Sequence, residues 1–267
     1  MRSSVRAPIL AIMIFQVAAL FARAFLEIRL IDGGEPQPFA QDLSYLVVPP
    51  ILIILMFPIL RRHGSYLRSL LHRQDLTIRL IATSVLLGFA LRISFWGGLI
   101  SFASFGILQN ANPSAIVGPR ISIGCPDAAV LALSFLVMSF LVPMIEETIN
   151  RGLILQSMLH RGRLFSLVLS SVLFALMHDP QAITVAFLGG LFLGVQMINC
   201  RVLWGPLITH ATYNAVAILD SECVGAQWNP IDTTSVMVGT GLLAAALAVV
   251  GIALSSILVQ RNGHRGA

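Results

Sequence analysis

The stretch "AAVLALSFLVMSFLVPMIEETINRGLILQSMLH", residues 128–160, decides the fold class. From Ala128 to Val142 it is an apolar run that reads as a membrane helix. Glu146, Glu147 and Arg151 then follow where lipid should still surround the chain. Charge at that depth is costly, so an ionisable residue there is a functional hint by default.

Composition widens this local reading to the whole chain. Of its 267 residues, 57% are hydrophobic and 11% charged, and the mean hydropathy is +0.86. A soluble domain carries about twice that charged fraction. The expected fold is all-α, a polytopic membrane helix bundle of about eight transmembrane helices forming a single membrane-embedded domain over residues 1–267. The motif-bearing core is about 128–220.

The 17 basic residues are all arginine and the net charge is +5. In a soluble protein that balance would suggest nucleic acid. Here the arginines flank apolar segments, so they read as topology signals, and no nucleic-acid partner is expected. Arginine without lysine also fits a GC-rich bacterial genome. The stretch from Arg2 to Ala24 resembles a signal peptide ending in a small-x-small site. The apolar run continues to Leu26 and the rest of the chain is equally apolar, which favours a first membrane helix.

The apolar segments fall at roughly 8–26, 44–60, 80–103, 128–159, 164–178, 183–199, 202–220 and 233–258. The fourth is too long for a simple span and is expected to leave the membrane, tilt or break near Pro143. Gly190 and Gly194 form a GxxxG in the sixth, read as a close helix-packing face. Every second connection is basic: Arg2 and Arg6, then Arg61 to Arg79, then Arg161 and Arg163, then Arg201, then Arg261 and Arg265. The alternation predicts both termini on the cytoplasmic side of a bacterial cytoplasmic membrane. It also puts Cys125 and Cys223 on one non-cytoplasmic side. They can pair if that side is oxidising, with two unpaired thiols as the default reading.

Few ionisable residues remain inside the spans once topology is explained. Glu147 and Arg151 are four apart and share a helix face, so they can pair and offset the cost of burial. Glu146 is turned by about 100° from Glu147. One carboxylate therefore reads as structural and the other as free for proton transfer. His178 ends the fifth segment. His210 and Asn214 share a face of the seventh. If residues 144–178 form a hairpin, Glu146 and His178 each lie about 21 Å from the turn, at one depth. His210 starts only about 12 Å into its helix and needs tilt to converge. A carboxylate, two histidines and an amide can activate water and stabilise an oxyanion, which is the chemistry of peptide or amide hydrolysis. Arg92, deep in the third segment, reads either as an ion pair with a buried acid or as a contact to substrate.

Three short motifs follow in order: "EETINR" as EExxxR, "FALMH" as FxxxH and "HATYN" as HxxxN. Together they resemble the CPBP family of CAAX proteases and bacteriocin-processing enzymes, which includes the type II CAAX prenyl endopeptidase. The resemblance covers about Pro143 to Asn214. It implies a glutamic intramembrane endopeptidase that needs no cofactor. Glu146 and His178 would activate water, His210 and Asn214 would form the oxyanion site, and Glu147 with Arg151 would hold the helix. Asn150 departs from the family, where an aromatic residue commonly precedes the arginine. The partners expected are the bilayer and a membrane-associated peptide or protein: a sorting tail, a leader peptide or a CAAX-like C-terminus.

Two alternatives stand beside this. Two histidines and a carboxylate are also zinc ligands, although there is no HExxH. Intramembrane charges also mark transporters, and a non-enzymatic scaffold can retain a family's polar residues. Against a transporter, the polar residues cluster in one stretch and no inverted repeat is visible.

Overall fold

The computed structural model describes residues 6–72, 76–110, 120–178 and 182–227, together with 239, 241–243, 245, 247 and 250–251. The chain is a helix bundle. Helix α1 spans Ile9–Asp32, α2 Gln37–Tyr45, α3 Val48–Leu70 and α4 Ile78–Asn110. A continuous helical stretch, α5, runs Ala128–Arg161, followed by α6 Arg163–Ala175, α7 Ile183–Cys200 and α8 Trp204–Cys223. The described residues between 239 and 251 are helical too, and the remainder of the eighth apolar segment lies outside the described residues.

Five helical stretches among the described residues are long and apolar enough to cross a membrane: Ile9–Asp32, Phe39–Leu70, Ile78–Gly98, Ala128–Arg161 and Ile183–Cys200. Helix α6 is apolar but shorter, and α8 carries the polar residues His210 and Asn214. The all-α polytopic reading therefore holds. Its one addition is a small antiparallel ribbon, in which Arg120–Ile123 (β1) pairs with Val224–Gln227 (β2), Arg120 opposite Gln227.

The distribution of polarity is that of a protein in lipid. Large apolar side chains face outward, Leu10, Phe21, Ile54 and Leu164 among them. Meanwhile Glu147, Arg151, Ser84, Ser134, Gln196 and Thr209 are buried. Exposed apolar surface on this scale is stable only against acyl chains. Helix α1 packs into the bundle: Ile12 and Ala19 are buried in one apolar cluster with residues of α3 and α5.

Polar and small residues hold the helices together, as expected where lipid removes the hydrophobic drive between them. Ser84 of α4 receives a hydrogen bond from Gln196 Nε2 of α7 on its hydroxyl and one from Thr209 Oγ1 of α8 on its carbonyl. Gly88 lies so close to α8 that a Cβ there would stand 2.6 Å from the Thr209 carbonyl oxygen. Gly190 and Gly194 do form a packing face: added Cβ atoms would meet Ser171 Cβ at 3.1 Å and Leu167 Cδ1 at 2.5 Å on α6.

Pro143 does not break the fourth segment. The helix widens into π-helical turns over Phe135–Leu141, resumes as α-helix over Val142–Glu147, and widens again over Thr148–Leu155. The first wide stretch absorbs the hydrogen bond that proline cannot make. At Gly162 the backbone takes φ 108°, which glycine tolerates, and the chain reverses into α6. This reversal makes the hairpin expected over residues 144–178.

Contacts at the bundle ends agree with the alternating loops. At one end, the Ala7 N–H donates to Ser157 Oγ, joining the start of α1 to the end of α5. The Leu203 N–H donates to the Leu70 carbonyl, joining the second connection to the α7–α8 turn. Elsewhere the ribbon joins the third connection to the chain after α8, and Cys125 and Cys223 form a disulfide beside it. The unpaired default for these cysteines is thus corrected: the ribbon brings their backbones together. Cys200 remains a free thiol.

Candidate active site

The site grows from the short α-helical turn between the two π-helical stretches. Because Val142–Glu147 keeps α-helical spacing, Glu146 and Glu147 point in different directions. Glu147 turns into the bundle, fully buried, and Glu146 turns toward a cavity, a quarter exposed.

Glu147 is held from two sides. Its Oε2 lies 3.2 Å from Arg151 Nε, and its Oε1 lies 2.9 Å from His210 Nδ1. Arg151 in turn donates from Nη2 to the Gly190 carbonyl. The predicted Glu147–Arg151 pair is therefore present, and it is part of a larger network. Glu147 also orients His210, a role the i,i+4 spacing alone does not reveal.

With Nδ1 directed at Glu147, His210 turns Nε2 toward Glu146, 3.9 Å from its Oε2. That distance is beyond a hydrogen bond. Glu146 Oε2 is buried and has no hydrogen-bond partner among the described residues. A carboxylate oxygen held in this way is an uncommitted acceptor, as a general base requires. His210 thus reaches the two glutamates without the misplacement in depth that a straight-helix estimate suggests.

His178 lies in the turn just beyond α6, where its Nδ1 donates to the Phe174 carbonyl at 2.9 Å. Its ring meets the Phe174 ring edge-on at 4.6 Å, and Phe174 meets His210 edge-on at 6.0 Å. The Arg151 guanidinium lies 4.2 Å over the same Phe174 ring. Phe174, the first residue of FxxxH, is thus the apolar platform on which both histidines and the arginine are arranged. Motif spacing alone assigns this phenylalanine no role. Asn214 Nδ2 donates to the Met138 carbonyl at 2.7 Å, in the first π-helical stretch. Its amide is tied to α5 rather than to His210.

The cavity beside Glu146 has a volume of about 40 Å³ and is walled by α1, α3 and α5, with Met177, the neighbour of His178, also lining it. Space of this size holds one or two waters. Two of its polar walls are invisible to motif reasoning. Tyr45 ends α2, and Gln16 of α1 is 7% exposed with Oε1 unpartnered among the described residues. A polar residue in the first apolar span is the only sequence signal for Gln16. Asn150, the departure from the family pattern, donates from Nδ2 to the Glu146 carbonyl at 2.9 Å and is almost fully buried.

Arg92 lies apart from this cluster. Its Nε and Nη2 donate to Asp220, whose Oδ2 also accepts from Trp96 Nε1 at 2.7 Å. Nη1 reaches the Tyr213 hydroxyl at 3.4 Å. The ion pair is therefore realised, with a half-buried acid. Among the described residues, no group of three or more His, Cys, Asp or Glu side chains is placed to hold a metal ion.

Residues 128–216 match the model of the family described as type II CAAX prenyl endopeptidase Rce1-like. No curated protein and no solved structure matches the chain. The family match runs from α5 into α8 and contains Glu146, Glu147, Arg151, Phe174, His178, His210 and Asn214, whereas Gln16 and Tyr45 lie outside it.

Proposed function

We propose that the chain is a single-domain glutamic intramembrane endopeptidase, a reading that the Rce1-like match over residues 128–216 supports. The observation that carries the catalytic type is Glu146: a buried, unpartnered carboxylate oxygen facing both a water-sized cavity and a histidine that a second glutamate holds in place.

Glu146 removes a proton from water, and the hydroxide attacks the substrate carbonyl. We assign His178, whose neighbour Met177 lines the cavity, to help hold that water. Charge then develops on the carbonyl oxygen. His210, steadied at Nδ1 by Glu147, is the group we assign to stabilise it. Asn214 braces α8 against α5 through Met138, so that His210 keeps its position. Glu146 finally returns the proton to the leaving amine. Arg92 is available to a substrate only by loosening its Asp220 partner, so we assign it first to structure. No cofactor takes part in this scheme.

The substrate is a membrane-associated peptide: a sorting tail, a leader or a CAAX-like C-terminus. The test is membrane proteomics of cells carrying the wild-type chain against cells carrying Glu146→Ala. A precursor should accumulate only in the variant. Identical processing in the two strains would sink the proposal, and loss of activity on chelation with stoichiometric bound metal would move it to zinc chemistry.

A further inference from the structure

We propose that a second cavity, at the end of the bundle where α1 begins and α5 turns into α6, binds the phosphate headgroup of an anionic membrane lipid. The cavity has a volume of about 460 Å³. Small-molecule sites occupy roughly 300–1,000 Å³. Arg6, His160 and Arg161 form its polar wall, and Ile9, Met158 and Leu169 its apolar one. Among the described residues, no acidic side chain lines it.

That division is the signature of an amphiphile. Guanidinium groups bind phosphate oxygens in a bidentate fork, and the three basic side chains are all exposed at the rim. On the α6 side of the same turn, Leu164 and Phe165 face outward. A free phosphate would use the rim and leave the apolar wall empty, whereas a lipid would use both. Basic pockets between membrane helices on the arginine-rich side are suited to anionic headgroups.

The position has a structural consequence. The walls come from the start of α1 with the residues before it, the end of α5, and Leu169 of α6; the Ala7–Ser157 hydrogen bond joins the first two there. Helix α5 carries Glu146, and α1 carries Gln16 in the cavity opposite it. A lipid seated between them braces the two helices that enclose the Glu146 cavity.

The alternative is that these arginines only enforce topology, which needs no cavity and no particular arginine. Native mass spectrometry of the purified full chain separates the two, with phosphatidylglycerol or phosphatidylcholine added in detergent. The wild type should retain phosphatidylglycerol preferentially. The double variant Arg6→Gln, Arg161→Gln should lose about 25-fold in apparent affinity, fivefold for each arginine. Arg163→Gln, an exposed arginine outside the cavity, should change little. Leu169→Trp keeps every charge but fills the apolar wall, and should also lose the lipid. Thermal midpoints of all variants identify any that fail to fold. Equal losses at Arg163 and at the cavity arginines, or no preference between the lipids, would overturn the proposal. Displacement by inorganic phosphate at comparable concentration would reassign the cavity to a soluble anion and overturn it equally.

Discussion

Glu146 and Glu147 are adjacent, yet one turn of α-helix gives them opposite surroundings. Glu147 is wholly buried between Arg151 and His210. Glu146 faces a cavity. Glu146→Gln should therefore abolish cleavage and leave the thermal midpoint nearly unchanged. Glu147→Gln should act on stability first, because it leaves Arg151 buried without its counter-charge. Breaking a buried pair in this way costs about 3–5 kcal/mol. Thermal denaturation in detergent beside a cleavage assay distinguishes the two, and a stable, inactive Glu147→Gln with an active Glu146→Gln would reverse the roles. Gln16 gives a complementary signature. Gln16→Leu should lower cleavage without lowering the thermal midpoint, the pattern of a polar group retained for function. A variant that loses both stability and activity would make Gln16 structural only.

At the scale of elements, close approach between helices matters more than propensity. The GxxxG of α7 is legible because two glycines one helical turn apart leave a flat stripe, and that stripe does lie against α6. Gly88 is not legible, because a lone glycine in an apolar run has no pattern. It nonetheless lies against the Thr209 carbonyl and Thr212 Cβ, the latter 2.7 Å from where a Cβ on residue 88 would stand. Gly88→Ala should destabilise the bundle by about 1–3 kcal/mol through overpacking. Gly98→Ala, where a Cβ meets nothing within 4 Å among the described residues, should be neutral or slightly stabilising. Chemical denaturation of the two variants side by side checks this, and equal stability would remove Gly88 from the α4–α8 contact. The π-helical stretches are equally hidden. Proline at 143 predicts a disturbance, but whether a helix breaks or widens depends on what the neighbouring helices need from it.

At the scale of the molecule, the loops and the disulfide define two ends. The Cys125–Cys223 bond closes a separation of 98 residues. In the chain-entropy account a loop of about 100 residues contributes about 4.7 kcal/mol, an upper figure where the denatured chain stays in detergent or lipid. Cys125→Ser should accordingly lower the thermal midpoint, and reduction of the wild type should lower it to the same value. No shift on reduction would show that the bond does not form in the membrane. The arginine alternation further predicts cytoplasmic termini. A C-terminal phosphatase fusion should be inactive and a fluorescent fusion bright, and the opposite result would invert the topology.

The amino-acid sequence alone determined the all-α membrane class and the apolar segments, and it singled out Glu146, Glu147, Arg151, His178, His210 and Asn214 as the polar residues to be explained. These rest on composition, on the cost of charge in lipid and on short periodic spacings, all of which are local. Only the tertiary structure decided how those residues divide their work. His210 bonds to Glu147 across 63 positions of sequence, Phe174 gathers both histidines, Asp220 takes Arg92, and Gln16 closes the cavity from the first helix. Each is a meeting between helices, fixed by which small residues let backbones approach and which polar atoms must find partners away from water. No spacing along one helix encodes that choice.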